Sequence, residues 1–360
     1  MRYKKSSPLF TRQLLQWNAT DNQRDMPWKG IRDPYRIWLS EVMLQQTRVE
    51  QGMGYYQRFT SAYPTIQDLA AAPDAEVFKR WEGLGYYNRC RNLLATARKV
   101  AMEFNGEFPH TYEGLLALPG IGPYTAAAIA SFAWNLPHAV VDGNVFRVLA
   151  RYFGYAIPVD ATEGKRWFQE QAQQLLPSDQ PATYNQAIMD FGAVVCTPRQ
   201  PDCVHCALSK TCIAFQENRV MELPVKAKAK PRQTRWMHYI IAEYQGQFLV
   251  RQRTEKDIWQ GLYEWMPLHQ GALLPTSTEA LTNLIQDQYP GLVFRWIGTS
   301  SLHKQTLSHR DVKSQFVHIH LRKKPGAWAD AFQWIEAEAL SSLAFPRIIH
   351  QHLNQWRKKQ

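Results

Sequence analysis

Four of the chain's five cysteines fall within 17 residues, as Cys196-x6-Cys203-x2-Cys206-x5-Cys212. Thiols crowded this closely have few uses. The start Met1-Arg2-Tyr3-Lys4-Lys5 runs into mixed polar sequence rather than a signal-peptide core, and no stretch nears the roughly 18 uninterrupted apolar residues of a membrane span. A soluble, cytoplasmic chain is expected, and disulfides are disfavoured in a reducing compartment. Four thiolates from one compact loop then suit a four-coordinate metal centre, and ligand chemistry alone leaves tetrahedral zinc and an iron–sulfur cluster both open. Pro198, Arg199, Pro201 and Asp202 make the loop polar, which argues against cysteines acting as small buried hydrophobes. Cys90 stands apart and reads as structural.

At 360 residues the chain exceeds the ~250–300 at which one hydrophobic core stops growing, so two domains are expected. A hydrophobic content of 45% with 12% aromatics excludes disorder and collagen. Charge is uneven: residues 1–224 carry 23 basic and 21 acidic side chains, whereas 225–360 carry 19 and 10. The densest basic run, Lys226-Ala227-Lys228-Ala229-Lys230-Pro231-Arg232, has no apolar face to bury and reads as a solvated linker over 225–235. Before it the period is helical, over Arg36–Val49, Asn88–Glu103 and Thr125–Trp134. After it, segments Trp236–Tyr244 and Gln247–Arg253 flank Gln245-Gly246 as a β-hairpin, and Gln315–Leu321 alternates with period two. Helices are expected at Thr278–Gln288 and Glu336–Leu343, and there is no fixed-period repeat.

Between two helical segments lies Leu118-Pro119-Gly120-Ile121-Gly122-Pro123-Tyr124-Thr125-Ala126. Its glycines permit a tight turn, and the free amides of the helix that follows suit a phosphate oxygen, although a plain helical connection would look the same. Asp142, in Val140-Val141-Asp142-Gly143-Asn144-Val145, enters a glycine turn as a helix cap does, and capping would help keep it ionised. Glu41 has Ile37, Trp38 and Leu44 as helical neighbours, so desolvation should raise its pKa unless the helix face is solvated.

Five segments now point to a family. Ser40-Glu41-Val42-Met43-Leu44-Gln45-Gln46-Thr47, Gly83-Leu84-Gly85-Tyr86-Tyr87, the Leu118–Ala126 hairpin, Val141–Val145 and the Cys196–Cys212 loop, in this order, closely resemble the MutY-type adenine DNA glycosylases of the endonuclease III superfamily. The likeness covers nearly all of residues 8–224. It implies a multidomain protein: a mainly α helix–hairpin–helix glycosylase domain over 1–224, with a [4Fe–4S] cluster on Cys196, Cys203, Cys206 and Cys212, followed by a smaller α+β Nudix-like domain over 236–360.

The resemblance also implies the chemistry. Such enzymes are monofunctional glycosylases of base excision repair that remove adenine mispaired with 8-oxoguanine or guanine in double-stranded DNA, leaving an abasic site. Glu41 matches the general acid, Asp142 the carboxylate that stabilises the oxocarbenium-like sugar, and Tyr124 and Asn144 the groups that support that intermediate. General-acid catalysis and one electrostatic contact together supply roughly 5–10 kcal/mol of the ~8–23 that enzymes generally need. The pocket must therefore also hold the flipped nucleoside. Arg24, Trp28 and Asp190 match its lining, with Asp190 standing where a glutamate is expected. Gln46, Thr47, Leu84 and Tyr86 match positions that wedge into the duplex and contact the opposite base, and Gly120, Gly122, Tyr124 and Thr125 match the phosphate-binding hairpin.

The second half resembles its counterpart more weakly. Gly261-Leu262-Tyr263-Glu264-Trp265-Met266-Pro267 matches a family segment, and the metal box of true Nudix hydrolases is missing, so pyrophosphatase chemistry is not expected. Thr306-Leu307-Ser308-His309 matches the loop whose serine reads oxidised guanine, with Leu307 in place of an aromatic. A monomer is expected. Two rivals stand beside this reading: an endonuclease III-like glycosylase-lyase, which would carry a lysine where this chain has Tyr124, and a non-catalytic iron–sulfur DNA-binding protein, which would not need both Glu41 and Asp142.

Overall fold

The computed structural model describes residues 8–227 and 231–357. The chain's first residues and the centre of the basic linker, 228–230, lie outside the described residues. Helices run as α1 (Pro8–Thr20), α2 (Pro34–Leu44), α3 (Val49–Ala62), α4 (Ile66–Ala71), α5 (Asp74–Trp81), α6 (Tyr87–Glu103), α7 (Tyr112–Leu116), α8 (Pro123–Trp134), α9 (Gly143–Phe153), α10 (Thr162–Leu175), α11 (Pro181–Val194) and α12 (Ile213–Gln216). The period expected over Arg36–Val49 is broken at Leu44. Gln46 takes a left-handed φ of 57°, and a turn separates α2 from α3.

Contacts divide the chain into two compact units. Residues up to Ala71, with Asn92 onward to the basic run, form the first; Ala72–Arg91, with the chain beyond that run, form the second.

In the first unit α9 and α11 pack face to face. Val145, Val148 and Leu149 meet Tyr184, Ile188 and Phe191, with Phe10 and Leu14 of α1 and Phe168 of α10 closing the core. Helix α8 is rich in alanine, a strong helix former whose small side chain lets helices approach, and nearly all of it is buried. The hairpin before it turns through Gly120, whose φ of +72° and whose place against Asn92, 2.5 Å from where a Cβ would stand, admit no side chain.

Asn185, fully buried on α11, binds three elements at once. It accepts from the Val140 amide at 3.1 Å and donates to Ser131 Oγ and the His138 carbonyl, both at 2.8 Å. That fixes the strand-like lead-in to α9.

The second unit is a mixed-sheet fold. Its strands are β1 (Gln233–Trp236), β2 (His238–Tyr244), β3 (Gln247–Gln252), β4 (Tyr263–Leu268), β5 (Phe294–Thr299), β6 (His303–Thr306), β7 (Arg310–Ser314), β8 (Phe316–Leu321) and β9 (Gln333–Glu336), with α13 (Thr278–Gln288) and α14 (Arg347–Arg357). Six strands order as β5-β8-β2-β4-β3-β9, and β1-β7-β6 form a smaller sheet. The β2–β3 hairpin closes through Gln245 and Gly246, both at positive φ, as its two-residue turn demands. The helix expected over Glu336–Leu343 is instead the end of β9 followed by a short 3-10 turn, Ala339–Ser342, because Gln333–Glu336 pair with β3. Segment 72–91 joins this unit through Lys79 to the Leu343 carbonyl, Glu82 to the Phe345 amide and Arg91 to the Gln260 carbonyl.

Replacing Asn185 with alanine strands the buried Val140 amide, a loss of about 1–3 kcal/mol. Denaturant unfolding should show the midpoint falling at unchanged slope. A midpoint equal to wild type would remove Asn185 from the set of residues that hold the α9 lead-in.

Candidate active site

A cavity of about 1050 Å³ opens in the first unit, lined by α2, the hairpin and start of α8, the start of α9, the segment around Arg24–Arg32, and part of α11. Glu41 reaches it from α2, a helix whose start is fixed by Pro34 and by Asp33 accepting from the Tyr35 amide. Ile37 and Trp38 are buried beside Glu41, which is itself 6% exposed. Burial pushes its carboxyl up to about 7, the Asp142 charge adds to the rise, and a 2.6 Å hydrogen bond donated by Tyr124 opposes it. Burial and the two carboxylates raise Tyr124 well above its ordinary range, so its hydroxyl keeps its proton and stays a donor.

Asp142 caps α9. Its Oδ1 accepts from the Asn144 and Val145 amides, both at 2.8 Å, and its Oδ2 from Asn144 Nδ2 at 2.7 Å. The expectation of a freely ionised cap is modified: burial raises Asp142, while these bonds and Arg147 pull it back without cancelling the rise. Arg147 donates to Asn144 Oδ1 at 2.8 Å and to the Cys196 carbonyl at 2.6 Å. Gly192 of α11 lies where a Cβ would stand 2.9 Å from the Asn144 carbonyl oxygen, so only glycine admits this approach.

Arg24, Trp28, Lys29, Gln46 and Thr47 line the same cavity, as do Gly120, Gly122 and Thr125. The Thr125 side chain is 1% exposed and its hydroxyl accepts from Gln45 at 3.1 Å, so what this residue can offer a phosphate is its backbone amide. Asp190 does not line the cavity. It lies fully buried one layer behind, binding Arg24 at 2.7 Å and Lys29 at 3.0 Å, because a carboxylate with no solvent must be saturated with donors. Sequence reasoning passed over Lys29, Gln186, Arg147 and Arg151. The signal was helical spacing: Gln186 precedes Asp190 by four residues, and Arg147 follows Asn144 by three.

The four clustered cysteines line one small cavity of about 30 Å³ together with Arg151. Arg151, 2% exposed, donates to the Thr197 carbonyl at 2.8 Å, the Pro198 carbonyl at 3.2 Å and Cys196 Sγ at 3.4 Å. Among the described residues, no three His, Cys, Asp or Glu side chains are arranged to hold a metal ion as they stand. The donor set nevertheless fits a thiolate-bound group: burial, then their mutual charge, raises Cys203, Cys206 and Cys212, and a cation shared among them would relieve that penalty.

The remaining predicted residues belong to the second unit. Leu84 is 4% exposed, so its side chain is packed away rather than projecting as a wedge. Tyr86, 44% exposed with φ 48°, shares a 2.6 Å hydrogen bond with Ser308 Oγ. Leu307 is half-buried and Ser308 and His309 exposed in the β6–β7 turn, which the Leu307 amide closes on the Arg310 carbonyl at 2.8 Å.

Residues 39–175 match the model of the HhH-GPD superfamily of base excision DNA repair proteins, and residues 237–355 match a NUDIX domain. An adenine DNA glycosylase of Buchnera aphidicola (subspecies Schizaphis graminum) is 35% identical over 257 residues, 71% of this chain and 74% of that protein. The chain belongs to the adenine DNA glycosylase family. The Rattus norvegicus adenine DNA glycosylase is 45% identical over 229 residues, 60% of this chain and 44% of that one. A solved thermostable thymine-DNA glycosylase superposes with a TM-score of 0.54 at 33% identity, covering 58% of this chain and 96% of its own.

The family match over 39–175 takes in Glu41, Tyr124, Asp142 and Asn144, which the cavity brings together. Since the Tyr124 bond favours the ionised form of Glu41, Tyr124→Phe should move the Glu41 midpoint above its value of about 7, read from carboxyl 13C shifts across pH. A midpoint that stays put or falls would show that the hydroxyl does not control this carboxyl.

Proposed function

We propose that the chain is a monofunctional adenine DNA glycosylase of base excision repair, removing adenine mispaired with 8-oxoguanine or guanine and leaving an abasic site. The observation that carries this is the carboxyl pair: Glu41, protonatable near neutrality, facing the same cavity as the multiply hydrogen-bonded Asp142. A base flipped into that cavity takes a proton from Glu41 on a ring nitrogen, which turns adenine into a neutral leaving group. As the glycosidic bond lengthens, positive charge grows on the sugar, and Asp142, held by Asn144 and the start of α9, stabilises it. Water then completes the hydrolysis. At position 124 a phenol replaces the amine that a lyase would use, and the strand is left intact.

Cys196, Cys203, Cys206 and Cys212 would hold a [4Fe–4S] cluster. When bound, it supplies a cross-link between distant points of the loop and a centre able to exchange electrons. The backbone amides of Gly120, Gly122, Tyr124 and Thr125 receive a DNA phosphate. In the second unit, Ser308 with Tyr86, and the neighbouring Leu307 and His309, read the base opposite adenine. 8-Oxoguanine carries an N–H at N7, where guanine offers an acceptor; a Ser308 hydroxyl whose proton goes to Tyr86 can only accept there, and so favours the oxidised base. The protein works as a monomer inside the cell; among the described residues no helix is long and apolar enough to cross a membrane.

Duplexes with one adenine opposite 8-oxoguanine, guanine, cytosine or thymine test the reading. Strand breaks should appear at adenine only after hot alkali, and fastest opposite 8-oxoguanine. Glu41→Gln should lose about 10²–10⁴ of the rate while still binding the mispair. Breaks without alkali would indicate a lyase, and a Glu41→Gln enzyme near wild-type rate would refute the general acid. For the cluster, purified protein should contain iron and acid-labile sulfide in equal amounts, lost in Cys203→Ser; zinc in their place would overturn it.

A further inference from the structure

The wall of the cavity beside Arg24 hangs on one buried anion. Asp190 Oδ1 accepts from Arg24 Nη1 at 2.7 Å and Gln186 Nε2 at 2.9 Å, and Oδ2 accepts from Asn22 Nδ2 at 2.9 Å and Lys29 Nζ at 3.0 Å. Two donors on each oxygen fill its lone pairs. Three of these four partners, Arg24, Lys29 and Gln186, line the cavity, whereas Asp190 itself is 0% exposed.

The consequence falls on Gln186. A side-chain amide has a donating end and an accepting end, and in isolation either can face a ligand. A carboxylate accepts only, so it must draw the NH2 end toward itself. No hydrogen bond among the described residues reaches Gln186 Oε1, and the side chain lines the cavity half-buried. The wall therefore offers one fixed acceptor beside the donors that remain on Arg24.

Adenine's Hoogsteen edge is complementary to that order: a donor at N6 beside an acceptor at N7. Guanine and hypoxanthine present acceptors at both places and would set an oxygen against Gln186 Oε1. We infer that Asp190 is a positioning residue for base selection, which locks the Gln186 amide so that its oxygen receives the 6-amino group of the flipped base. The inference rests on the adenine glycosylase reading above and deepens it. It also gives Asp190 a task without contact with the base.

The test is single-turnover excision from duplexes that differ only in the target base, adenine or hypoxanthine, opposite the same partner. A change that merely loosened the fold would slow both and leave their ratio alone. Asp190→Asn, which can meet Gln186 with either end of its own amide, should lower the adenine-to-hypoxanthine ratio by about 10- to 100-fold, the worth of one well-placed base contact. Gln186→Leu removes the acceptor without touching the buried anion and should lower the ratio by the same factor, which serves if Asp190→Asn does not fold. A wild-type protein that excises no adenine overturns this inference together with the function proposed above. Wild-type excision with the ratio unchanged in Asp190→Asn overturns the Asp190 assignment alone, and an unchanged ratio in Gln186→Leu overturns the Gln186 contact on which it depends.

Discussion

Two buried carboxylates facing one cavity cannot both carry full charge cheaply, and much of the first unit is arranged around which of them yields. Asp142 accepts three hydrogen bonds and has Arg147 behind it; Glu41 accepts one, from Tyr124. The first proton taken up therefore goes to Glu41, whose pKa rises from 4.5 to about 7. That rise corresponds to about 3 kcal/mol against the ionised form. The sign follows. Between those two pH values the fold binds more protons than the unfolded chain, so stability declines as pH rises through the window and the full penalty is carried above about 7. A protein that keeps such a group is holding an acid ready at the pH where acids are scarce.

Helix α9 is the part that makes this possible mechanically. Its N-terminus carries Asp142 as cap and Asn144, while Arg147 from its middle and Arg151 from its last turn reach the carbonyls at the start of the cysteine loop. Both arginines are nearly buried, so neither can give up its partners without stranding charge. Gly192 then lets α11 lie close enough for Arg147 to reach that helix's backbone as well. The acid site and the thiol cavity are thus built on opposite stretches of one helix, and rigidity at the second supports geometry at the first.

Sequence alone showed the carboxylates, the hairpin and the thiols because each is a local signal: an apolar helix face around Glu41, a capping pattern at Asp142, glycines in a turn, close cysteine spacing. It could not show which groups meet across the fold. Asp190 reads as one more helix-face acid until Arg24 and Lys29, about 160 residues away, are seen against it. Leu84 was expected at the duplex because it matches a wedge position of the family, and here its side chain is 4% exposed in a turn between two glycines. The Glu336–Leu343 segment has helical residues but completes a sheet edge with β3, so pairing overrode propensity. For Asp190 and for the Glu336–Leu343 segment alike, the deciding partner is remote in sequence.

The Tyr86–Ser308 bond follows the same logic at the surface, joining residues 222 apart. Around Tyr86 the chain is held by left-handed residues, Gly83 at φ 94°, Gly85 at φ 77° and Tyr86 itself at φ 48°. A tyrosine in that region costs on the order of 1 kcal/mol, and the Arg89 guanidinium lies over its ring, 5.3 Å from the centroid. The hydroxyl pair it makes is exposed, where a hydrogen bond contributes about 0.5–1.5 kcal/mol net. Exchanging that partner for another polar group is then nearly neutral. Strain fixes where the Tyr86 hydroxyl stands, and exposure leaves it free to change partner.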